Sequence, residues 1–111
     1  MNYKEYLAYI ADAQHYESAE TLRMDHGFPF TCEFTADGLV KAFEIIYAVS
    51  REDFPKIVEL SGGNLSAMCR GLNIPLRTAQ NWLLGARKPP AYIIKFIGYA
   101  LISQCEKEDN L

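Results

Sequence analysis

A mainly α-helical bundle is predicted by three features of this 111-residue chain. Apolar residues recur at helical spacing along most of its length. Breakers such as Gly27, Gly62-Gly63 and Gly85 divide those stretches, and one short segment alone alternates with the period of a strand. Half of the residues are hydrophobic and 13% are aromatic, enough for the core of one domain.

Residues 3–22 read as one helix, with Tyr3, Leu7 and Ile10 in one apolar stripe and Tyr6, Tyr9, Ala13 and Tyr16 in a second. His26-Gly27 and Pro29 end that pattern. From 28 to 35, Phe28, Phe30, Cys32 and Phe34 alternate with Pro29, Thr31, Glu33 and Thr35. No convincing partner strand exists elsewhere. The segment is therefore expected as an extended or short β arm that lies across the helices or pairs with its own copy. Thr35 or Asp37 can cap a helix over 36–49, whose apolar face is Leu39, Val40, Phe43, Ile46 and Tyr47. A shorter helix at 51–60 carries Phe54, Ile57, Val58 and Leu60, and Pro55 is tolerable in its first turn.

Residues 64–72 form a short helix that begins at a plausible Asn64 cap, Asn73-Ile74-Pro75 is a turn, and a second helix runs to Leu84 before Gly85 stops it. Met68 or Cys69, Leu72, Ile74, Ala79 and Trp82 suit the inside of two steeply crossing helices, and small Ala79 lets them approach. Arg77, Gln80 and Asn81 are left outward. A last helix over 91–105 turns Ile93, Ile94, Ile97, Ala100 and Leu101 inward, and Tyr92, Phe96 and Tyr99 form a second stripe.

The net charge of -3 hides a division. Residues 1–60 hold eleven acids against five bases, net -6, whereas 61–105 hold Arg70, Arg77, Arg87, Lys88 and Lys95 and no carboxylate, net +5. The tail 106–111 has three acids and one base, net -2. A surface that faces phosphate has the character of the middle segment, because a carboxylate there repels the ligand.

Asn64 to Arg70, the run Ile74-Pro75-Leu76-Arg77-Thr78-Ala79-Gln80-Asn81-Trp82, Gly85, and Arg87-Lys88-Pro89-Pro90 resemble, in that order, the lambda-repressor-like (Cro/repressor) helix-turn-helix family of bacteria and their phages. The resemblance covers about forty residues. It implies a second helix, 75–84, that lies in the major groove. Leu76, Arg77, Gln80 and Asn81 would then contact bases, Arg77 on guanine, Gln80 or Asn81 on adenine and Leu76 on a thymine methyl. Asn64, Arg70, Arg87 and Lys88 would meet phosphate. The expected organisation is an N-terminal helix and arm at 1–35 for dimerisation or partner binding, a helix-turn-helix DNA-binding domain at 36–105, and an acidic tail at 106–111. The function implied is a sequence-specific transcriptional regulator, a repressor or autoregulator, acting as a homodimer on an inverted repeat of double-stranded DNA. Candidate dimer or partner surfaces are Tyr6, Tyr9, Phe28, Phe30, Phe34, Tyr92, Phe96 and Tyr99.

Other classes find less support. Cys32, Cys69 and Cys105 are odd in number and lack a Cys-x-x-Cys pair, so neither a disulfide scaffold nor a zinc site fits. His15 and His26 stand apart from cysteines and paired carboxylates, so no metal centre, cofactor or catalytic triad is expected, and no enzyme. No signal-like N-terminus or apolar run of about 18 residues appears, and the expected setting is the cytoplasm of a bacterium or of a phage-infected host. The competing reading is a small phage or mobile-element inhibitor, anti-CRISPR-like in manner. It would use the helix-turn-helix as a scaffold and dock its acidic N-terminal half on a host protein such as a nuclease.

Overall fold

The computed structural model describes residues 1–27 and 33–106. Within them the chain forms α1 (Tyr3–Ala13), α2 (Ala19–His26), α3 (Ala36–Ser50), α4 (Phe54–Leu60), α5 (Leu65–Leu72), α6 (Leu76–Leu83) and α7 (Ala91–Cys105). The expected predominance of helix is observed, and no described helix is long and apolar enough to cross a membrane.

Most starts carry a polar side chain that satisfies a first-turn amide. Asn2 and Glu5 exchange reciprocal bonds at 2.8 and 2.9 Å, a capping box at the head of α1. Ser18 and Thr21 do the same for α2. Thr35, rather than Asp37, caps α3 by accepting from Gly38 N. Asp53 caps α4, so that helix starts three residues later than the 51–60 pattern suggests, with Pro55 in its first turn. Asn64 caps α5.

The single helix expected over 3–22 is instead two. The connection after Ala13 is held by the C-terminal end of α3, which takes carbonyls that a continuous helix would need. Tyr47 Oη donates to Glu17 O at 2.7 Å, and Arg51 donates to Tyr16 O at 2.5 Å while lying 4.6 Å over the Tyr47 ring. Gln14 Nε2 in turn donates to Ser50 O at 3.0 Å. Ser18 then starts a fresh helix.

Helix α3 is the hub, packing against α7, α1, α2 and α4, while α5 pairs with α6. One continuous core joins Tyr6, Ile10, Ala13 and Leu22 to Phe43, Ile45, Ile46 and Val49 of α3 and to Ile94, Ile97, Leu101 and Ile102 of α7. Gly98 sits where α7 meets α3 and α1. A Cβ there would stand 2.5 Å from Val49 Cγ2 and hard against the Tyr6 hydroxyl. That hydroxyl is fully buried and donates to Lys95 O at 2.7 Å, and burial pushes its pKa far up, so it stays a donor.

The expected arm falls mostly on residues 28–32, including Phe28 and Phe30, which lie outside the described residues. Its end does have a partner within the chain: Phe34 forms an isolated antiparallel bridge with Glu106 and is buried. The Met1 ammonium lies beside it, 2.6 Å from Glu33 and 3.4 Å from Glu106. Tyr6 and Phe34, expected as surfaces for a second molecule, are therefore corrected to intramolecular packing residues. Tyr9 is half-buried and meets the Phe43 ring edge-on at 5.6 Å.

Two glycines test this packing in opposite directions. Gly98→Ala should lower unfolding stability by about 1–3 kcal/mol, because the Tyr6 ring and Val49 have no free space to yield. Gly71→Ala, where nothing lies within 4 Å of an added Cβ, should raise it by about 0.5–1 kcal/mol, as expected for an unhindered helical position. Urea denaturation of both variants beside the wild type measures the two signs.

Candidate nucleic-acid interface

Helices α5 and α6 owe their crossing to a few apolar residues and one special backbone position. Asn73 adopts a left-handed conformation, φ 57, which ends α5, and Ile74 N closes the turn on Cys69 O at 2.9 Å. Pro75 sets the entry into α6. Met68 and Cys69 are buried, Leu72 and Ile74 half-buried, and Ala79 is fully enclosed. Trp82 is half-buried and meets Phe54 of α4 edge-on at 5.6 Å, so the indole braces α6 and is not offered to bases. The inward set expected for this pair of helices is thus the observed one. Burial also pushes the Cys69 thiol pKa up, which keeps it neutral.

The opposite side of α6 is open. Leu76, Arg77, Gln80 and Asn81 line a shallow concavity of about 910 Å3 together with Leu65, Leu83 and Leu84. Arg77 and Gln80 are exposed and Asn81 is half-buried. The structure therefore brings all four expected base-contacting residues onto one face. No side chain caps α6, so its first-turn amides have neither an intrahelical acceptor nor a side-chain one. Arg77 belongs to that first turn, so a cation adjoins the positive end of the helix, a setting that favours an anion.

The four residues expected at phosphate do not line this face. Arg70 is exposed and donates to Ser66 Oγ at 3.2 Å. Asn64 uses its side-chain oxygen as the α5 cap, accepting from Ala67 N at 3.0 Å, which leaves its amide group as donor. Arg87 is exposed on a loop pinned to α6, since Ala86 N and Arg87 N both donate to Asn81 O, at 3.0 and 3.3 Å. Gly85, at φ 79, makes that reversal, and Pro89 is buried just before α7. Lys88 is exposed, with its Nζ 3.7 Å from Glu52 Oε1.

Three lining residues were not assigned by the sequence pattern: Leu65, Leu83 and Leu84, the last 81% exposed. Helical spacing carried a signal for two of them. Leu76, Gln80 and Leu83 follow i, i+4, i+7, and Leu84 is seven residues after Arg77. Of the aromatic candidates on α7, Tyr92 and Phe96 are exposed and in ring contact at 6.2 Å. Tyr99 is partly covered by Tyr3 at 5.1 Å and Tyr6 at 5.2 Å. Among the described residues, no three His, Cys, Asp or Glu side chains converge as a metal site.

Framework and outward face should separate under mutation. Ala79→Leu forces three more carbons into an enclosed crossing and should cost about 1–3 kcal/mol of stability. Arg77→Ala should stay within about 0.5 kcal/mol of wild type, because the side chain is exposed. Thermal unfolding followed by circular dichroism distinguishes them. The chain matches no family model, no curated protein and no solved structure.

Proposed function

We propose that the chain is a sequence-specific regulator that binds duplex DNA through a lambda-repressor-like helix-turn-helix, with α6 in the major groove. The observation that carries this reading is the pairing of two properties on one helix. Ala79 and Trp82 anchor one side of α6, while Arg77, Gln80 and Asn81 stand together on the other, in a stretch of 45 residues (61–105) without a carboxylate. Arginine can hold guanine O6 and N7 with two bonds, and an amide side chain can do the same for adenine N6 and N7. Arg70, Arg87 and Lys88 are exposed cations of the same carboxylate-free segment and would meet phosphate. A two-fold dimer would place two such helices about 34 Å apart on an inverted repeat. Tyr92 and Phe96 are the exposed aromatic candidates for its interface. The organisation proposed is a DNA-binding segment at 36–105 whose core α1 and α2 complete.

A protein partner is the second reading, and the exposure of Leu83 and Leu84 favours it, since base edges offer leucine little beyond a thymine methyl. In that version the chain is an inhibitor of a host protein such as a nuclease, and its acidic N-terminal half adds a docking charge.

Fluorescence anisotropy with duplexes from the chain's own promoter region separates the two. Wild type should bind with an affinity that falls linearly on a logarithmic salt scale, with a slope of about -0.9 per phosphate neutralised. Arg77→Ala combined with Asn81→Ala should weaken binding to the preferred duplex by about 100-fold, at roughly 1–3 kcal/mol per bidentate contact. Binding to random duplex should change far less. Equal and salt-insensitive binding by both proteins would falsify base reading, and no binding at low salt would favour the protein partner.

A further inference from the structure

The turn between α3 and α4 contains three charged residues, and two have evident structural tasks. Arg51 ties the α1–α2 connection by donating to Tyr16 O and Gln14 O, and Asp53 caps α4. Glu52 does neither. Its carboxylate reaches the basic half of the chain, 3.7 Å from Lys88 Nζ, and the residue lines a cleft with Lys95 of α7. Its backbone lies at φ 51, a left-handed conformation that glycine or asparagine adopts at lower cost. The turn is also fastened. Glu52 N donates to Val49 O and Asp53 N to Ala48 O, both at 3.0 Å. An unfavourable conformation persists only where its surroundings hold it, and such positions cluster at functional sites.

We propose that Glu52 competes with phosphate for Lys88 and so weakens the hold of the basic surface on duplex DNA of any sequence. The inference rests on the DNA-binding reading above. In the free protein Lys88 is partly neutralised by a carboxylate on a fixed turn. On DNA, Lys88 must leave that partner, and the abandoned charge then stands near the phosphates. Because the contact involves no base edge, it sets how tightly the surface binds and leaves unchanged which sequence it prefers. Phosphate contacts supply nearly all non-specific affinity, so one fixed acid at their margin limits residence on unrelated sequence without touching α6.

The experiment is a double-mutant cycle of Glu52→Gln and Lys88→Ala, read by anisotropy on a random-sequence duplex and on the tightest duplex selected from a pool. Glu52→Gln should tighten both by about fivefold at low salt, the scale of one exposed ion pair, with their ratio unchanged. The salt slope should change by much less than about 0.9, because Lys88 meets the same phosphate in both proteins and only the cost of leaving Glu52 is removed. Lys88→Ala should cost more in the Glu52→Gln protein than in wild type. Glu52→Gly removes the same charge and suits the backbone, so it carries the test if glutamine disturbs the turn. Wild-type binding with no tightening in either variant overturns the proposal and leaves the DNA reading standing. Tightening that is equally large after Lys88→Ala also overturns it, since competition at Lys88 would then not be the cause. Absence of binding by every variant at low salt overturns the DNA reading, and this inference with it.

Discussion

The close approach of α3 and α7 at Gly98 is the contact on which the other elements depend. Only a residue without a Cβ lets Val49 and the Tyr6 hydroxyl occupy the space beside α7, and an added carbon would also meet Ile45 Cγ2 at 3.6 Å. Tyr6 enters from α1 and bonds the carbonyl of Lys95, so three helices share one junction. A buried hydroxyl without a partner would be costly, and here the bond and the packing are made by the same side chain. With α3 held this way, its remaining sides carry α2 and α4. The C-terminal end of α3 also organises the α1–α2 connection through Tyr47 and Arg51.

That framework reaches α6 by two routes. One passes from α3 to α4, whose Phe54 supports Trp82. The other passes from α7 through buried Pro89 to the loop whose amides bond Asn81 O. A short helix of eight residues has little stability of its own, so these supports decide whether its outward side chains keep fixed positions. Preorganised side chains lose less entropy when they bind. Arg77, Gln80 and Asn81 gain that benefit from α6, whereas Arg87 and Lys88 sit on the following loop. Under the proposed DNA reading, that arrangement would let a rigid helix discriminate while cations on the loop hold a uniform backbone.

The parts legible in the sequence are those whose cause is local. Asn64, Pro75, Gly85 and Pro89-Pro90 punctuate α5, α6 and the start of α7, and the observed ends fall within a residue of the expected ones. Ala79 and Trp82 were legible as the inward side of α6 by their spacing. The break after Ala13 was only partly so: Ser18-Ala19-Glu20-Thr21 marks the new start locally, but Tyr47 and Arg51, which hold the connection, lie 30 and 35 positions from the carbonyls they bond. The aromatic residues were ambiguous for a similar reason. Tyr6 and Phe96 both belong to apolar helical stripes, yet one is fully enclosed and the other 54% exposed. Their rings belong to one connected series, with Tyr6 touching Tyr3 at 5.6 Å and Tyr3 touching Phe96 at 5.7 Å. Periodicity identifies the members of such a series but not the point where it emerges from the core. Glu52 was illegible because neither its left-handed backbone nor its approach to Lys88 has a signature in Arg51-Glu52-Asp53.

The charge division acquires a physical meaning from this architecture. A total of -3 would oppose approach to a polyanion if the molecule acted as a point charge. It does not act so, because its extents of 39, 38 and 22 Å exceed the distance of about 8 Å over which physiological salt screens charge. At the proposed DNA-binding face, the charges that would matter are those within that range. The acids of residues 1–60 would oppose the proposed binding according to how closely the fold brings them to Arg70, Arg77, Arg87 and Lys88, rather than by their number. Glu52 stands well inside that range of Lys88. Net charge is therefore a poor guide to what α6 can bind, and under the proposed DNA reading the placement of a carboxylate such as Glu52 matters more than the total.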